Sequence, residues 1–186
     1  MPGRFQAARR FAAQCLFCTR RYLHPSARTV KTESDPTITS EEKWTGPLYL
    51  DASALVKLYL PEPGSDALDS AIQGRRDLII SDLAITEIVS ALSRRRREGI
   101  ISESSCARVH RKLLADIESG LYVKEDLMPE VHREAERLLL AMDGVPLRAA
   151  DALHLALAGL SGAAAIVTYD RRLAEAAVKI GLNSLP

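Results

Sequence analysis

Short apolar runs, each ending in a polar residue and leading into a helical pattern, are the feature that most restricts what this chain can become. Leu48–Leu50, Leu78–Ile80, Leu121–Val123 and Ala164–Thr168 read as buried strands, and Leu182–Leu185 as an edge strand. Between them the apolar spacing predicts helices over 54–60, 65–73, 83–98, 103–118, 129–142, 147–160 and 171–180. The punctuation agrees: Ser53 and Ser102 stand where helices need caps, Pro61 and Pro63 stop the first helix, and Gly74, Gly99 and Gly120 follow helix ends. Strands alternating with helices require parallel pairing with helices on both faces. The expected fold class is α/β, a three-layer α/β/α sandwich around a central parallel sheet of four to five strands. In such sheets ligands bind beyond the carboxyl ends of the strands, which directs attention to Asp51, Asp82 and Asp170.

Charge divides the 186 residues unevenly. Residues 1–46 carry eight Lys or Arg and four acids, whereas 47–186 carry 17 and 20. Through Thr32 there are seven basic residues and no acid, the composition of a transit peptide and equally of an over-extended start. Residues 1–46 are therefore expected to be a basic, disordered extension, and 47–186 the functional domain. Cys15, Cys18 and His24 give three potential zinc ligands where a closed structural site needs four, so zinc is not expected there. Three cysteines make no disulfide framework and no secretory signal is visible, which favours a reducing, cytoplasmic setting. No apolar run reaches the roughly 18 residues of a membrane span. The mildly acidic domain also excludes nucleic-acid binding by bulk charge; an anionic partner must meet a local patch or a metal ion.

Asp151 stands in the most apolar helical stretch, among Leu147, Leu155 and Ala158 on its own face. A buried carboxylate must be paired, hydrogen-bonded or metal-bound; Arg148 and Arg171 are the candidate ion-pair partners, and a site role is favoured. Asp51 ends the first strand and Asp170 follows the fourth, each also placed to cap a helix. Periodicity puts Glu87 on a solvated face with Thr86, Ser90 and Arg94. If Asp51, Asp151 and Asp170 converge, two charges about 4 Å apart repel by about 4 kcal/mol at an effective dielectric near 20. Such a cluster needs shared protons or a counter-charge. All-oxygen ligands of high charge select a hard cation, Mg²⁺ or Mn²⁺, able to activate water beside a phosphate. Phosphodiester hydrolysis is the reaction that fits.

Four stretches then match a known family in order. Leu48-Tyr-Leu-Asp51-Ala-Ser53, Ser81-Asp82-Leu-Ala-Ile-Thr-Glu87, Leu147-Arg-Ala-Ala-Asp151-Ala-Leu-His154 and Ile166-Val-Thr168-Tyr-Asp170-Arg resemble the motifs of the PIN domain, specifically VapC-type toxins of bacterial toxin–antitoxin pairs. The resemblance covers residues 48–186. It implies an endoribonuclease in which Asp51, Glu87, Asp151 and Asp170 gather around Mg²⁺ (or Mn²⁺), with Asp51 and Asp151 the direct ligands. It also implies a tRNA or rRNA substrate, a cognate antitoxin that blocks the acidic groove, and a homodimer. Ser53 and Thr168 are second-tier residues whose hydroxyls bond a carboxylate or cap an element. His154, one turn from Asp151, is expected to be a core histidine bonded to backbone. Arg94, Arg95, Arg96 and Arg97 complement a helix C-terminus and form a candidate phosphate rail.

Three other readings compete. A haloacid-dehalogenase-like phosphohydrolase wants a second Asp two positions after the first, where this chain has Ser53. A non-toxin RNA-processing PIN nuclease would share every motif. A catalytically silent PIN-fold binding module would not need all four acids.

Overall fold

Central strands of a parallel sheet are covered on both faces, and β1 (Leu48–Leu50) has no solvent exposure at any position. The structure is a computed structural model that describes residues 45–186. The basic segment with Cys15, Cys18 and His24 lies outside the described residues. After β1 come α1 (Ala52–Tyr59), α2 (Ser65–Ile72), β2 (Leu78–Ser81), α3 (Asp82–Arg97) and α4 (Glu103–Glu118). Then follow β3 (Tyr122–Glu125), α5 (Pro129–Ala141), α6 (Ala149–Leu160), β4 (Ala165–Val167), α7 (Arg171–Lys179) and β5 (Asn183–Leu185).

The five strands pair in the order β3-β2-β1-β4-β5, and every pairing is parallel. Leu48 lies opposite Leu78 on one side and Ala165 on the other. Alternation along β1 divides the core in two. Leu48 and Leu50 point into a layer with Ala54 and Leu55 of α1, Ile88 and Leu92 of α3, and Leu113 of α4. Tyr49, with Ile79 and Ile166, points into the opposite layer beneath Val131 and Leu138 of α5, Leu155 of α6 and Leu173 of α7. The three-layer sandwich read from the sequence is therefore present, with five strands.

Three local differences bear on the site. Helix α1 begins at Ala52, and its cap is Asp51 rather than Ser53: an Asp51 carboxylate oxygen accepts from Ala54 N–H. Helix α6 begins at Ala149 rather than Leu147, so Asp151 falls in the first turn and not in the helix body. Its carboxylate reaches back to accept from Arg148 N–H at 3.0 Å, satisfying one of the amides that every helix start leaves free. Strand β3 extends past Val123 to Glu125, because an edge strand keeps one side open to water and tolerates Lys124 and Glu125. At the entry to β1, Gly46 has φ of 78°, and a Cβ there would lie 2.8 Å from the Ala164 side chain; only glycine suits both conditions.

Candidate active site

Strand β1 is the point where the chain reverses its direction of travel across the sheet: β2 and β3 lie on one side, β4 and β5 on the other. At the carboxyl ends of β1 and β4 the two strands diverge into α1 and α7, and a crevice opens between them. Asp51 follows β1, and Thr168, Tyr169 and Asp170 follow β4.

Asp51 is 4% exposed. One carboxylate oxygen accepts from Ser53 Oγ at 2.7 Å and Ala54 N–H at 2.9 Å; the other accepts from Thr168 Oγ1 at 2.7 Å. Ser53 Oγ in turn accepts from Tyr169 N–H, and Thr168 Oγ1 from Asp170 N–H. The Asp51 carboxylate is thus fixed in rotation by both strand ends. Burial pushes its carboxyl above the usual carboxylate range, and the bonds from Thr168, Ala54 and Ser53 only partly offset that desolvation. No ion pair reaches it among the described residues. A carboxylate held this firmly and left short of positive charge is suited to a cation.

Asp151, 8% exposed, and Asp170 share Arg172. The guanidinium Nε lies 3.7 Å from Asp151 Oδ2, and Nη2 lies 3.8 Å from Asp170 Oδ2, both too long for hydrogen bonds. Nε is buried and has no hydrogen-bond partner. Arg172, rather than Arg148 or Arg171, is therefore the cation beside Asp151. Its position two residues after Asp170, in the first turn of α7, was the available sequence signal. Asp170 Oδ1 caps α7 by accepting from Arg172 N–H and Leu173 N–H, which leaves Oδ2 toward the crevice.

Glu87 is half-buried, beside exposed Thr86, Ser90 and Arg94 as periodicity indicated, but with a buried partner. Helix α3 packs on α1 and also touches α6, so it has two covered sides where periodicity showed one. Glu87 Oε2 lies 2.7 Å from His154 Nε2. His154 is buried as expected, but its partners are side chains and not backbone: Nδ1 lies 2.8 Å from the Tyr49 hydroxyl. Asp82 does not join this set; Lys124 of β3 binds its carboxylate at 2.8 Å. In the arginine run, Arg95 is paired with Glu62 and Arg97 donates to Ser93 Oγ, while Arg94, Arg96 and Arg97 are exposed. The run begins seven residues after Glu87, about 10 Å further along the helix axis and toward the amino edge of the sheet.

No group of three or more His, Cys, Asp or Glu side chains is disposed to hold a metal ion among the described residues. The donor chemistry nonetheless fits a hard divalent cation: Asp51, Asp151, Asp170 and Glu87 offer only oxygen, and Asp51 is buried without a counter-ion. An open cleft of about 700 Å³ lies elsewhere, lined by Tyr59, Asp69, Arg76, Lys112 and Asp116, and contains none of these acids.

A doubly wound parallel sheet with acids around its switch point defines the class: an α/β/α domain with an acidic carboxyl edge. The sequence profile of the PIN domain matches residues 48–179, and the chain belongs to that family. Ribonuclease VapC46 of Mycobacterium tuberculosis is 34% identical over 140 residues, spanning 73% of this chain and 93% of the relative. Among solved structures, FitAcB from Neisseria gonorrhoeae superposes with a TM-score of 0.60 at 14% identity, over 75% of this chain and 96% of that one. The M. tuberculosis toxin VapC20, which cleaves the sarcin–ricin loop, gives 0.55 at 16% identity, over 69% and 94%. At those identities the two structures speak to the fold alone.

Proposed function

We propose that this protein is a ribonuclease toxin of the VapC type, which hydrolyses RNA phosphodiester bonds at the carboxyl edge of its sheet. The observation that carries this reading is Asp51: nearly fully buried, oriented by Ser53, Thr168 and Ala54, and without an ion-pair partner among the described residues. Kinship with a ribonuclease over nearly all of that relative's length supports it.

Asp51 and Asp151 are the residues that would hold Mg²⁺ or Mn²⁺, with Glu87 and Asp170 completing the acidic set. The cation supplies Lewis-acid chemistry, acidifying water and drawing charge from a phosphoryl oxygen. The chain's own groups do the rest. Ser53 and Thr168 lock the Asp51 carboxylate, and Arg148 N–H orients Asp151. Arg172 relieves repulsion between Asp151 and Asp170. In the overall hydrolysis, water oxygen bonds to phosphorus, one P–O ester bond breaks, and the departing ribose oxygen takes up a proton. The substrate is tRNA or rRNA, and a cognate antitoxin protein covers the acidic crevice. The active form is a cytoplasmic homodimer; no helix among the described residues is long and apolar enough to cross a membrane.

The test is cleavage of end-labelled total RNA by the full chain with Mg²⁺ or Mn²⁺, beside Asp151→Asn. Metal-dependent cuts that fall by about 10²-fold or more in the variant are expected. Cuts that survive both EDTA and the substitution would overturn the carboxylate mechanism.

A further inference from the structure

One buried polar chain runs through the core and ends on a site acid. Tyr49 has no solvent exposure, yet its hydroxyl meets Ser81 Oγ at 2.7 Å and His154 Nδ1 at 2.8 Å. His154 continues to Glu87 at 2.7 Å, and Ser81 Oγ caps α3 by accepting from Ala84 N–H. The chain thus joins β1, β2, α3 and α6.

The donor inventory gives this chain a direction. An ionised Glu87 can only accept, so His154 Nε2 carries the hydrogen that it donates. In the neutral imidazole Nδ1 is then an acceptor, so Tyr49 donates its O–H to it. Tyr49 oxygen accepts from Ser81 O–H, and Ser81 oxygen accepts from Ala84 N–H. With Glu87 ionised and the imidazole neutral, every hydrogen in the row is used once. The Tyr49 and His154 rings also meet edge to face at 5.7 Å, which fixes the imidazole plane. A histidine serving only as core filling would have no need to end on a half-exposed carboxylate.

We propose that His154, held in one tautomer and one orientation by Tyr49, is a positioning residue that aims the Glu87 carboxylate at the acid cluster. This rests on the nuclease reading of that cluster. Glu87 stands on a different helix from Asp51, Asp151 and Asp170, and each of those is fixed by a backbone N–H at a helix start. Glu87, in the second turn of α3, has no such bond. His154 is its substitute, and the relay ties its position to β1, the strand that also delivers Asp51.

The geometry of the replacements separates positioning from packing. His154→Gln can place an amide N–H near the Nε2 position; His154→Asn can reach Tyr49 but not Glu87. Tyr49→Phe keeps the ring and removes the donor to Nδ1. The full chain and each variant are compared in Mn²⁺ affinity by calorimetry and in kcat and KM for RNA cleavage, with Glu87→Gln as the floor. His154→Asn should lose about 10–100-fold in Mn²⁺ affinity or kcat, with KM for RNA little changed. His154→Gln should recover most of that loss, Tyr49→Phe should lose several-fold, and His154→Asn should add nothing in the Glu87→Gln background. Wild-type Mn²⁺ affinity and kcat in a folded His154→Asn, while Asp151→Asn is silent, would overturn the positioning role and leave the nuclease reading intact. Equal losses in His154→Gln and His154→Asn, tracking their melting temperatures, would also overturn it by reducing His154 to core support. A wild-type chain that binds no Mn²⁺ and cuts no RNA would remove the nuclease reading and this role with it.

Discussion

At the amino edge of the sheet, Asp116 accepts from the Tyr59 hydroxyl at 2.8 Å and pairs with Lys112 at 2.9 Å, and Tyr59 meets Tyr122 at 3.1 Å. At the carboxyl edge, Asp51 is gripped by two hydroxyls and an amide and meets no cation among the described residues, while Asp151 and Asp170 divide one arginine between them. Both edges bury carboxylates beside aromatic or hydroxyl partners. The first arrangement neutralises its charge within the fold; the second does not. A polar cluster that serves the fold closes its own charge, and one that leaves charge over is built for something from outside.

The difference should show most strongly on adding a divalent cation. At a hundredfold excess over its dissociation constant, Mn²⁺ should stabilise the wild type by about 2.7 kcal/mol. Asp51→Asn should abolish that gain, and Asp116→Ala should keep it; thermal melts with and without Mn²⁺ read both. Asp51 also sets the pH trend of the metal-free protein. Its folded carboxyl holds a proton more tightly than the unfolded one does, so its contribution favours folding in acid and declines as pH rises through the folded value. Mn²⁺ should offset that decline.

Asp116→Ala should act on the fold instead. It removes the carboxylate acceptor of the Tyr59 hydroxyl, leaving Tyr122 as its hydroxyl partner, and should cost about 0.5–1.5 kcal/mol in urea unfolding, with RNA cleavage unaltered in the folded fraction. The same edge should be the alkali-sensitive one. Burial pushes the Tyr122 phenol up to about 12 and raises Tyr59 further. These phenols hold their protons more tightly folded than unfolded, so their stabilisation is complete below about pH 10 and lost on rising through the folded values. Tyr122→Phe should flatten part of that loss in urea midpoints taken across the alkaline range. The smallest effect belongs to the exposed arginines. Replacing Arg94, Arg96 and Arg97 together should lower the salt slope of RNA binding by about 0.7 for each phosphate that they neutralise, with cleavage at saturating RNA unchanged.

Most of the fold was legible because its signals are local. Strand ends at Asp51 and Thr168, the cap at Ser102 and the glycines after helices are read within a few residues of where they act. The misreadings of α1 and α6 have one origin: an aspartate beside a helix start is a cap and a candidate site residue at once, and spacing alone does not say which amide it takes. Asp151 is the buried carboxylate that its apolar neighbours implied, but in the first turn, because that helix starts two residues later than its apolar pattern. What the sequence left hidden is long-range. Glu87 and His154 are 67 residues apart, and Tyr49 and His154 are 105 apart. Their partnership depends on α3 touching α6, which no single-helix periodicity contains. Arg172 was visible as a charge but not as the cation of Asp151, because that role depends on how α7 returns to the crevice.

Asp51, Asp151 and Asp170 each satisfy backbone amides at the start of a helix. A population under pressure to silence this protein would find few replacements at these positions that spare the fold: the nearly isosteric asparagine, and serine at the two N-caps, Asp51 and Asp170. Alanine removes the carboxylate and its bond to the helix start together, at about 1 kcal/mol for the cap, and a loss of that size is enough to lower cellular abundance several-fold. Harmless but well-folded copies should therefore be rare among inactivating lesions here, and the usual escape should be a chain that is both inert and scarce.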